Sequence, residues 1–287
     1  MSRIETIAVL GAGTMGHGIA HVAAQAGYRV TMYDVSDDFV SRGLSRIRQN
    51  LDRGVSLGKL KAEDVEATMA RLSGTDDLAN AVAAADLVIE AAPEDLALKQ
   101  GLFRRCDAAA PAHALLASNT SSLGITEIAS ATKRPDKVLG MHFFNPVHLM
   151  KLLELVRGLA TSPETIEAAR AVGAKLGKEL IVASDVPGFA TSRLGIALGN
   201  EAMRMLEQGV ASAEEIDRAM ELGYKHPMGP FKLSDLVGLD VRLAITEYLY
   251  RELGGEQFRA PLILKKMVAA GKLGKKSGEG FYKYTSS

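Results

Sequence analysis

Residues 11–16, Gly11-Ala12-Gly13-Thr14-Met15-Gly16, leave this chain few ways to fold. They form a G-x-G-x-x-G run between the apolar stretch Thr6-Ile7-Ala8-Val9-Leu10 and a helix-like segment over 14–26. A continuous apolar run ended by glycine reads as a strand covered on both faces of a parallel sheet. Strand, glycine turn and helix in that order bring loop N–H groups and a helix N-terminus to one point, where a pyrophosphate can sit. Gly11 makes the tight turn, Gly13 lets phosphate approach the backbone, and Gly16 permits close packing of helix on strand. Thr14 and Met15 complete the loop. A second β-rich run, Arg29 to Asp34, ends on a carboxylate 18 residues past Gly16. Such an acid accepts ribose hydroxyls and repels a 2′-phosphate, and Val35 and Ser36 bring no arginine to compensate. The expected cofactor is therefore NAD rather than NADP.

Charged, helix-favouring stretches follow over 36–54 and 62–72, parted by Gly54 and Gly58, and together they suggest a projecting helical hairpin over about 36–72. Apolar runs then recur at 86–91, 114–117, 137–141, 152–156 and 179–183, with helix-like segments between most of them. Alternating strand and helix implies a doubly wound, largely parallel α/β sheet of the Rossmann type. The pattern changes at Ser184-Asp185-Val186-Pro187-Gly188. Beyond it only helix-like segments remain, near 190–208, 212–222, 230–252 and 261–271. The expected organisation is a dinucleotide-binding domain over 1–186 followed by an all-helical domain over 187–287.

Charge and cysteine content remove several classes of function. The 287 residues carry 34 Lys+Arg against 34 Asp+Glu. No global positive field exists to draw nucleic acid or an anionic membrane surface. One cysteine, Cys106, can form neither an internal disulfide nor a Cys-rich metal cluster, so no metal is expected and a reducing compartment is. No apolar stretch approaches membrane-spanning length, and residues 1–6 lack the basic and apolar regions of a leader. The expected setting is cytoplasmic.

Three polar groups stand at the ends of apolar runs. His142 closes Val138-Leu139-Gly140-Met141, and Glu154 lies in Leu152-Leu153-Glu154-Leu155-Val156. A carboxylate on such a strand needs a partner, and a buried His–Glu pair would orient the imidazole and stabilise its protonated form. A histidine on an apolar strand is equally the mark of a hydrogen-bonded core residue. Ser118-Asn119-Thr120-Ser121-Ser122 follows a strand, where open α/β sheets bind ligands; the same residues suit a helix cap before Ile125. Glu90 and Glu94 flank another strand end close to the glycine loop in strand order, which favours cofactor contact over acid–base chemistry.

Together, GAGTMGHG (11–18), EAAPE (90–94), SNTSSL (118–123), MHFFNP (141–146), MKLLE (150–154), Pro187-Gly188-Phe189, HPMGPF (226–231) and GKKSGEGFY (274–282) resemble the L-3-hydroxyacyl-CoA dehydrogenases. The likeness covers essentially the whole chain in the family's order and spacing, and is strongest with the bacterial 3-hydroxybutyryl-CoA dehydrogenase branch. It implies reversible NAD-dependent oxidation of a short (S)-3-hydroxyacyl-CoA to the 3-oxoacyl-CoA. His142 would then be the base, Glu154 its orienting partner, and Ser121 a hydrogen-bonding group at the substrate oxygen. NAD contacts carry over to the glycine loop, Asp34, Glu94, Lys99, Ser121, Asn145 and Lys276, with Asn119 in the same pocket. Read without the family, Lys276 is part of a solvated basic tail. The hairpin would dock CoA through Arg53, Lys59 and Lys61, and a homodimer would form through the helical domain, where Leu194, Ile196, Leu198 and Met203 exceed the apolar needs of one bundle.

One position departs from the family. Three residues after Pro-Gly-Phe the family carries an Asn of its catalytic cluster; here Ser192 stands there, a shorter donor lacking the amide's second N–H. Either Ser192 meets substrate through a water, or a neighbour such as Asn200 compensates. Two other functions fit parts of the pattern: a related dehydrogenase of free 3-hydroxy acids or sugar acids, and a non-catalytic NAD-binding protein.

Overall fold

The computed structural model describes residues 4–284. The chain divides into two compact units, one ending at Val186 and the other beginning at Pro187. In the first unit the order is β1 (Thr6–Leu10), α1 (Thr14–Gln25), β2 (Arg29–Tyr33), α2 (Asp37–Ser56), α3 (Ala62–Met69), β3 (Leu72–Thr75), α4 (Leu78–Val82), β4 (Leu87–Glu90), α5 (Leu96–Ala109), β5 (Leu115–Ser118), α6 (Ile125–Ala129), β6 (Val138–Phe143), β7 (Leu152–Arg157), α7 (Pro163–Lys175) and β8 (Glu179–Ser184). Among the described residues these strands make one eight-stranded sheet in the order β3-β2-β1-β4-β5-β6-β7-β8. All neighbours are parallel except β6 and β7. Strand order reverses direction between β1 and β4, the topological switch point beside which such sheets bind ligands.

Central strands β4, β5 and β6 are buried at every residue, as the unbroken apolar runs require. The edges differ. β3 reads Leu-Ser-Gly-Thr with its two middle residues exposed, so it carries no apolar run and a helix-like reading extends to residue 72. It exists because it pairs with β2 in register from Val30↔Leu72 to Tyr33↔Thr75. The predicted hairpin is not a free projection either. α2 buries Val40, Gly43, Ile47 and Leu51, one side at helical spacing, and the side chains of Val40, Ile47 and Leu51 with Val65 of α3 join the core that contains Ile19 and Val30. Burying each such side chain stabilises the fold by roughly 1.5–3 kcal/mol, which holds the base of the hairpin down. The tip, including Arg53, Lys59 and Lys61, stays exposed.

The second unit holds α8 (Thr191–Glu207), α9 (Ala213–Gly223), α10 (Pro230–Val237), α11 (Leu239–Leu253) and α12 (Leu262–Ala269). The single helix expected over 230–252 is two, broken at Gly238, whose φ of +103° ends α10 and starts α11. Two wholly buried carboxylates organise this unit. Asp217 accepts from the Phe231 and Lys232 amides at the start of α10 and from the Tyr282 hydroxyl. Asp235 accepts from the amides of Phe281 and Tyr282 and from the Tyr284 hydroxyl. Burial and the facing carboxylates push both tyrosine hydroxyls well above their usual range. No helix among the described residues is long and apolar enough to cross a membrane.

Candidate active site

The site is built where β1, β4, β5 and β6 end. Gly11 turns the chain out of β1 at φ +103°, and a Cβ there would lie 2.7 Å from the Ala91 carbonyl oxygen. Gly16 packs α1 so tightly on the loop that a Cβ would come within 1.7 Å of the Gly11 oxygen. Gly13, by contrast, has nothing within 4 Å of its Cβ position. It stands as N-cap of α1 with no side chain capping the helix and no acid in the first turn, an arrangement that suits an anion. Asp34 ties the loop from the side: Oδ2 accepts from the Ala12 amide at 2.7 Å and Oδ1 from the Val35 amide at 2.7 Å.

A cavity of about 690 Å³ opens over these residues, walled by Gly11 to Met15, Asp34, Val35, Phe39, Ala92, Pro93, Leu98 and Leu102. Val35, Phe39 and Leu98 are large apolar side chains left exposed around it. Open amides at a helix start, a carboxylate on the second strand and apolar flanks fit a nicotinamide dinucleotide. Arg42 and Arg46 also line the cavity and were not legible as site residues. Their signal is the spacing Phe39, Arg42, Arg46, which puts all three on one face of α2. Arg42 is already engaged, pairing with Asp38 at 2.6 Å and lying 4.6 Å above the Phe39 ring centroid.

At the next strand ends the polar residues hold one another. Glu90, wholly buried, faces inward rather than to the cavity: it accepts from the Ala92 amide (2.6 Å), Lys99 Nζ (2.7 Å) and the Ser118 hydroxyl (2.6 Å). This replaces the cofactor contact expected of it. Ser118 is its direct neighbour across β4 and β5. Glu94 Oε1 accepts from the Thr120 hydroxyl, the Ser121 amide and the Ser122 hydroxyl at 2.5, 3.1 and 3.2 Å, with the Ser121 hydroxyl at 3.4 Å. Lys99 is buried beneath them. Asn119 Oδ1 accepts from the Phe143 amide at 2.8 Å, joining the end of β5 to the end of β6 beside His142.

Because β7 returns antiparallel, His142 and Glu154 are direct cross-strand partners. The His142 Nδ1 lies 2.7 Å from Glu154 Oε2, with the histidine 7% exposed and the glutamate fully buried. The carboxylate accepts from Nδ1–H, which leaves Nε2 as the basic nitrogen of the neutral ring. Phe144 packs against the imidazole at 4.4 Å between centroids. Asn145, next in the chain, is exposed.

Ser192 and Lys276 belong to the helical unit. Ser192 is in the first turn of α8, and Lys276 pairs with Asp240 at 2.6 Å. Asn200 does not stand in for Ser192. It lies eight residues further along α8, about 12 Å at the helical rise, wholly buried, with Nδ2 donating to the Gln257 carbonyl.

A dinucleotide loop at the switch point and a His–Glu pair at the same sheet edge define a Rossmann-type NAD-binding oxidoreductase. The NAD binding domain of the 3-hydroxyacyl-CoA dehydrogenase family matches residues 6–186, and that family's C-terminal domain matches 188–284. The chain belongs to the 3-hydroxyacyl-CoA dehydrogenase family. It is 48% identical over 281 residues to a probable 3-hydroxybutyryl-CoA dehydrogenase of Bacillus subtilis, covering 98% of each chain. The solved (S)-3-hydroxybutyryl-CoA dehydrogenase of Ralstonia eutropha superposes with a TM-score of 0.95 at 43% identity, over 99% of this chain and 100% of that one. A 3-hydroxyadipyl-CoA dehydrogenase of Escherichia coli is 44% identical over 98% of this chain and 59% of its own length.

Proposed function

We propose that the protein interconverts (S)-3-hydroxybutanoyl-CoA and acetoacetyl-CoA with NAD, using His142 and Glu154 as its acid–base pair. The buried 2.7 Å contact between His142 Nδ1 and Glu154 Oε2 carries this reading. Bound NAD supplies the hydride acceptor. His142 takes the 3-hydroxyl proton on Nε2, while Glu154 keeps the ring in the tautomer that leaves Nε2 basic and stabilises the positive charge that results. The apolar ring of Phe144, packed against the imidazole, keeps water from competing for that proton. Ser121 hydrogen-bonds the substrate oxygen from a loop that Glu94 holds in place. The glycine loop binds the pyrophosphate, and Asp34 the adenosine ribose. Ser192 serves the acyl-CoA, and Arg53 and Lys59 at the exposed hairpin tip meet its phosphates.

The protein acts as a cytoplasmic homodimer joined through the helical unit. Of the surplus apolar residues on α8, Ile196 and Met203 are buried in their own unit, whereas Leu194 is 72% exposed and Leu198 36%. Leu236, Val237 and Val241 are further large apolar side chains that this unit leaves exposed.

The test follows NADH absorbance on adding acetoacetyl-CoA, with NADPH and free acetoacetate as controls. Loss of NADH with the thioester alone is expected. Consumption with free acetoacetate, or none with either, refutes the thioester reading. Because one relative is named for 3-hydroxyadipyl-CoA, a series of 3-oxoacyl-CoA esters fixes chain length: kcat/KM is expected to be highest for the four-carbon ester.

A further inference from the structure

We infer that the first unit carries a second anion site, a basic cavity beside His148 that binds a small phosphate-bearing molecule. It shares no wall residue with the cavity over the glycine loop, and it stands whether or not the dehydrogenase reading does.

The cavity has a volume of about 410 Å³ and opens between the end of α1, the loop before β7 and the end of α7. Lys151, Lys175, Lys178 and His148 stand in its wall, and no acidic residue does. Among the described residues none of the three ammonium groups is paired with a carboxylate. Lys175 rests over the Tyr28 ring, 3.8 Å from its centroid, a contact that brings no counter-charge. Lys178 is half-buried and donates to the carbonyls of Val147 and Met150, which uses two of its three N–H groups. Burial lowers its pKa, and no carboxylate opposes the shift.

Lysines also gather at helix C-termini to meet free carbonyls. That need is already met here. At the end of α7 the Gly177 and Lys178 amides donate to the Ala174 and Gly173 carbonyls, and at the end of α1 the Gly27 and Tyr28 amides donate to Ala24 and Ala23. Only Lys175 lies in a last helical turn, while Lys151 and Lys178 come from the segments that lead into β7 and β8.

A second observation lies behind the wall. His148 stacks on His21 with ring centroids 5.5 Å apart, and His21 is 3% exposed with neither ring nitrogen hydrogen-bonded. Burial first, then His148, His17 and Lys178, lower the His21 pKa to about 4. Burial, His17 and Lys178 lower that of His148 as well. Every charge that acts on the two rings is positive. A walled cavity with excess positive charge and an unused donor draws a compact anion. Lysines serve phosphate as point charges, whereas carboxylates favour the arginine fork, and no arginine lines this cavity. Its volume is within the range of small-molecule sites.

The probe is inorganic pyrophosphate, titrated at constant ionic strength into protein saturated with NADH, so that the glycine loop is already occupied. NMR follows the His148 ring, and His148→Asn identifies its signals. Saturable binding with half-saturation below about 1 mM is expected. The His148 pKa should rise by about half a unit or more, because the anion stabilises the protonated ring. Lys151→Gln/Lys175→Gln changes two exposed side chains, so the protein should stay folded and bind pyrophosphate about ten-fold or more weakly. Stationary His148 signals, the same response when chloride replaces pyrophosphate, or unchanged affinity in the double variant overturns the proposal. Tighter binding of citrate than of pyrophosphate overturns the choice of phosphate. None of these readouts needs a thioester, so failure to reduce acetoacetyl-CoA refutes the dehydrogenase reading alone.

Discussion

Two glycines three residues apart should respond to the same methyl group in opposite ways. In Gly16→Ala the new Cβ would stand 1.7 Å from the Gly11 carbonyl oxygen and 2.7 Å from its carbon. Comfortable contact between such atoms is roughly 3.5 Å. The obstacle is backbone, so no side chain can rotate away, and α1 must retreat from β1 by more than an ångström-scale adjustment of the loop. Gly16 is buried in a helix whose Ile19, Ala20 and Ala23 belong to the main core, so that retreat loosens packing as well. We expect a loss of about 3 kcal/mol, the upper part of the range for overpacking a core. In Gly13→Ala the methyl meets no protein atom within 4 Å, and the backbone there, at φ −69°, suits any residue. Stability should change by less than about 1 kcal/mol, the difference between glycine and alanine at an N-cap. The methyl does occupy the open space beside the cavity, and NADH affinity should fall about 10²-fold, as when a bound group is displaced by about 1 Å. Urea unfolding gives the first quantity and NADH fluorescence titration the second. Native-like NADH affinity in Gly13→Ala, or a native urea midpoint in Gly16→Ala, would show that the loop does not work as this geometry requires.

His142→Ala is expected to cut turnover by about 10²-fold or more while NADH still binds, the usual loss when a general acid–base is removed; near-normal kcat in a folded variant refutes the assignment. Glu154→Gln keeps the shape but not the charge, so the plateau rate should drop; an unchanged plateau argues against the pairing. His21 is buried with neither ring nitrogen hydrogen-bonded, and desolvation first, then His148, lowers its pKa from 6.5 to about 4. The unfolded chain therefore takes up a proton at His21 near pH 6.5 that the folded chain refuses until pH 4, so stability falls across that window, by up to about 3 kcal/mol. His21→Phe should flatten this part of the urea-midpoint profile, and an equally steep fall in the variant refutes it. Burial pushes the Cys106 thiol up to about 12, so alkylation by iodoacetamide should track global unfolding; labelling of the native protein at a free-thiol rate would contradict the burial.

What could be read in advance follows the physical origin of each signal. The interior strands announce themselves because both faces are covered, and the glycine loop because three positions need the absence of a side chain for three separate reasons. β3 left no such trace: at an edge, with Ser73 and Gly74 in the middle, only its pairing with β2 makes it a strand. The break at Gly238 was hidden because one glycine inside a long apolar-periodic segment is compatible with an unbroken helix. In the site, His142 and Glu154 were visible as isolated polar residues in apolar runs. The inward-facing role of Glu90 was not, since a carboxylate at a strand end looks the same whether it faces a ligand or a buried lysine nine residues later. Arg42 and Arg46 were overlooked on a helix whose charge resembles any solvated surface, and only the wall of the cavity singles them out.

The two buried carboxylates of the helical unit set an order on its making. Asp217 and Asp235 each depend on donors from residues 281–284, the final stretch described; Asp217 accepts besides from two amides of α10, and Asp235, itself on α10, takes all three of its donors from that stretch. During synthesis the eight-stranded sheet is complete once Ser184 has emerged and can fold while the rest is still being translated. The helical unit has no such head start. Until Phe281, Tyr282 and Tyr284 arrive, its centre holds two charges short of partners, so α8 to α12 have to wait for residues 281–284 before they can close.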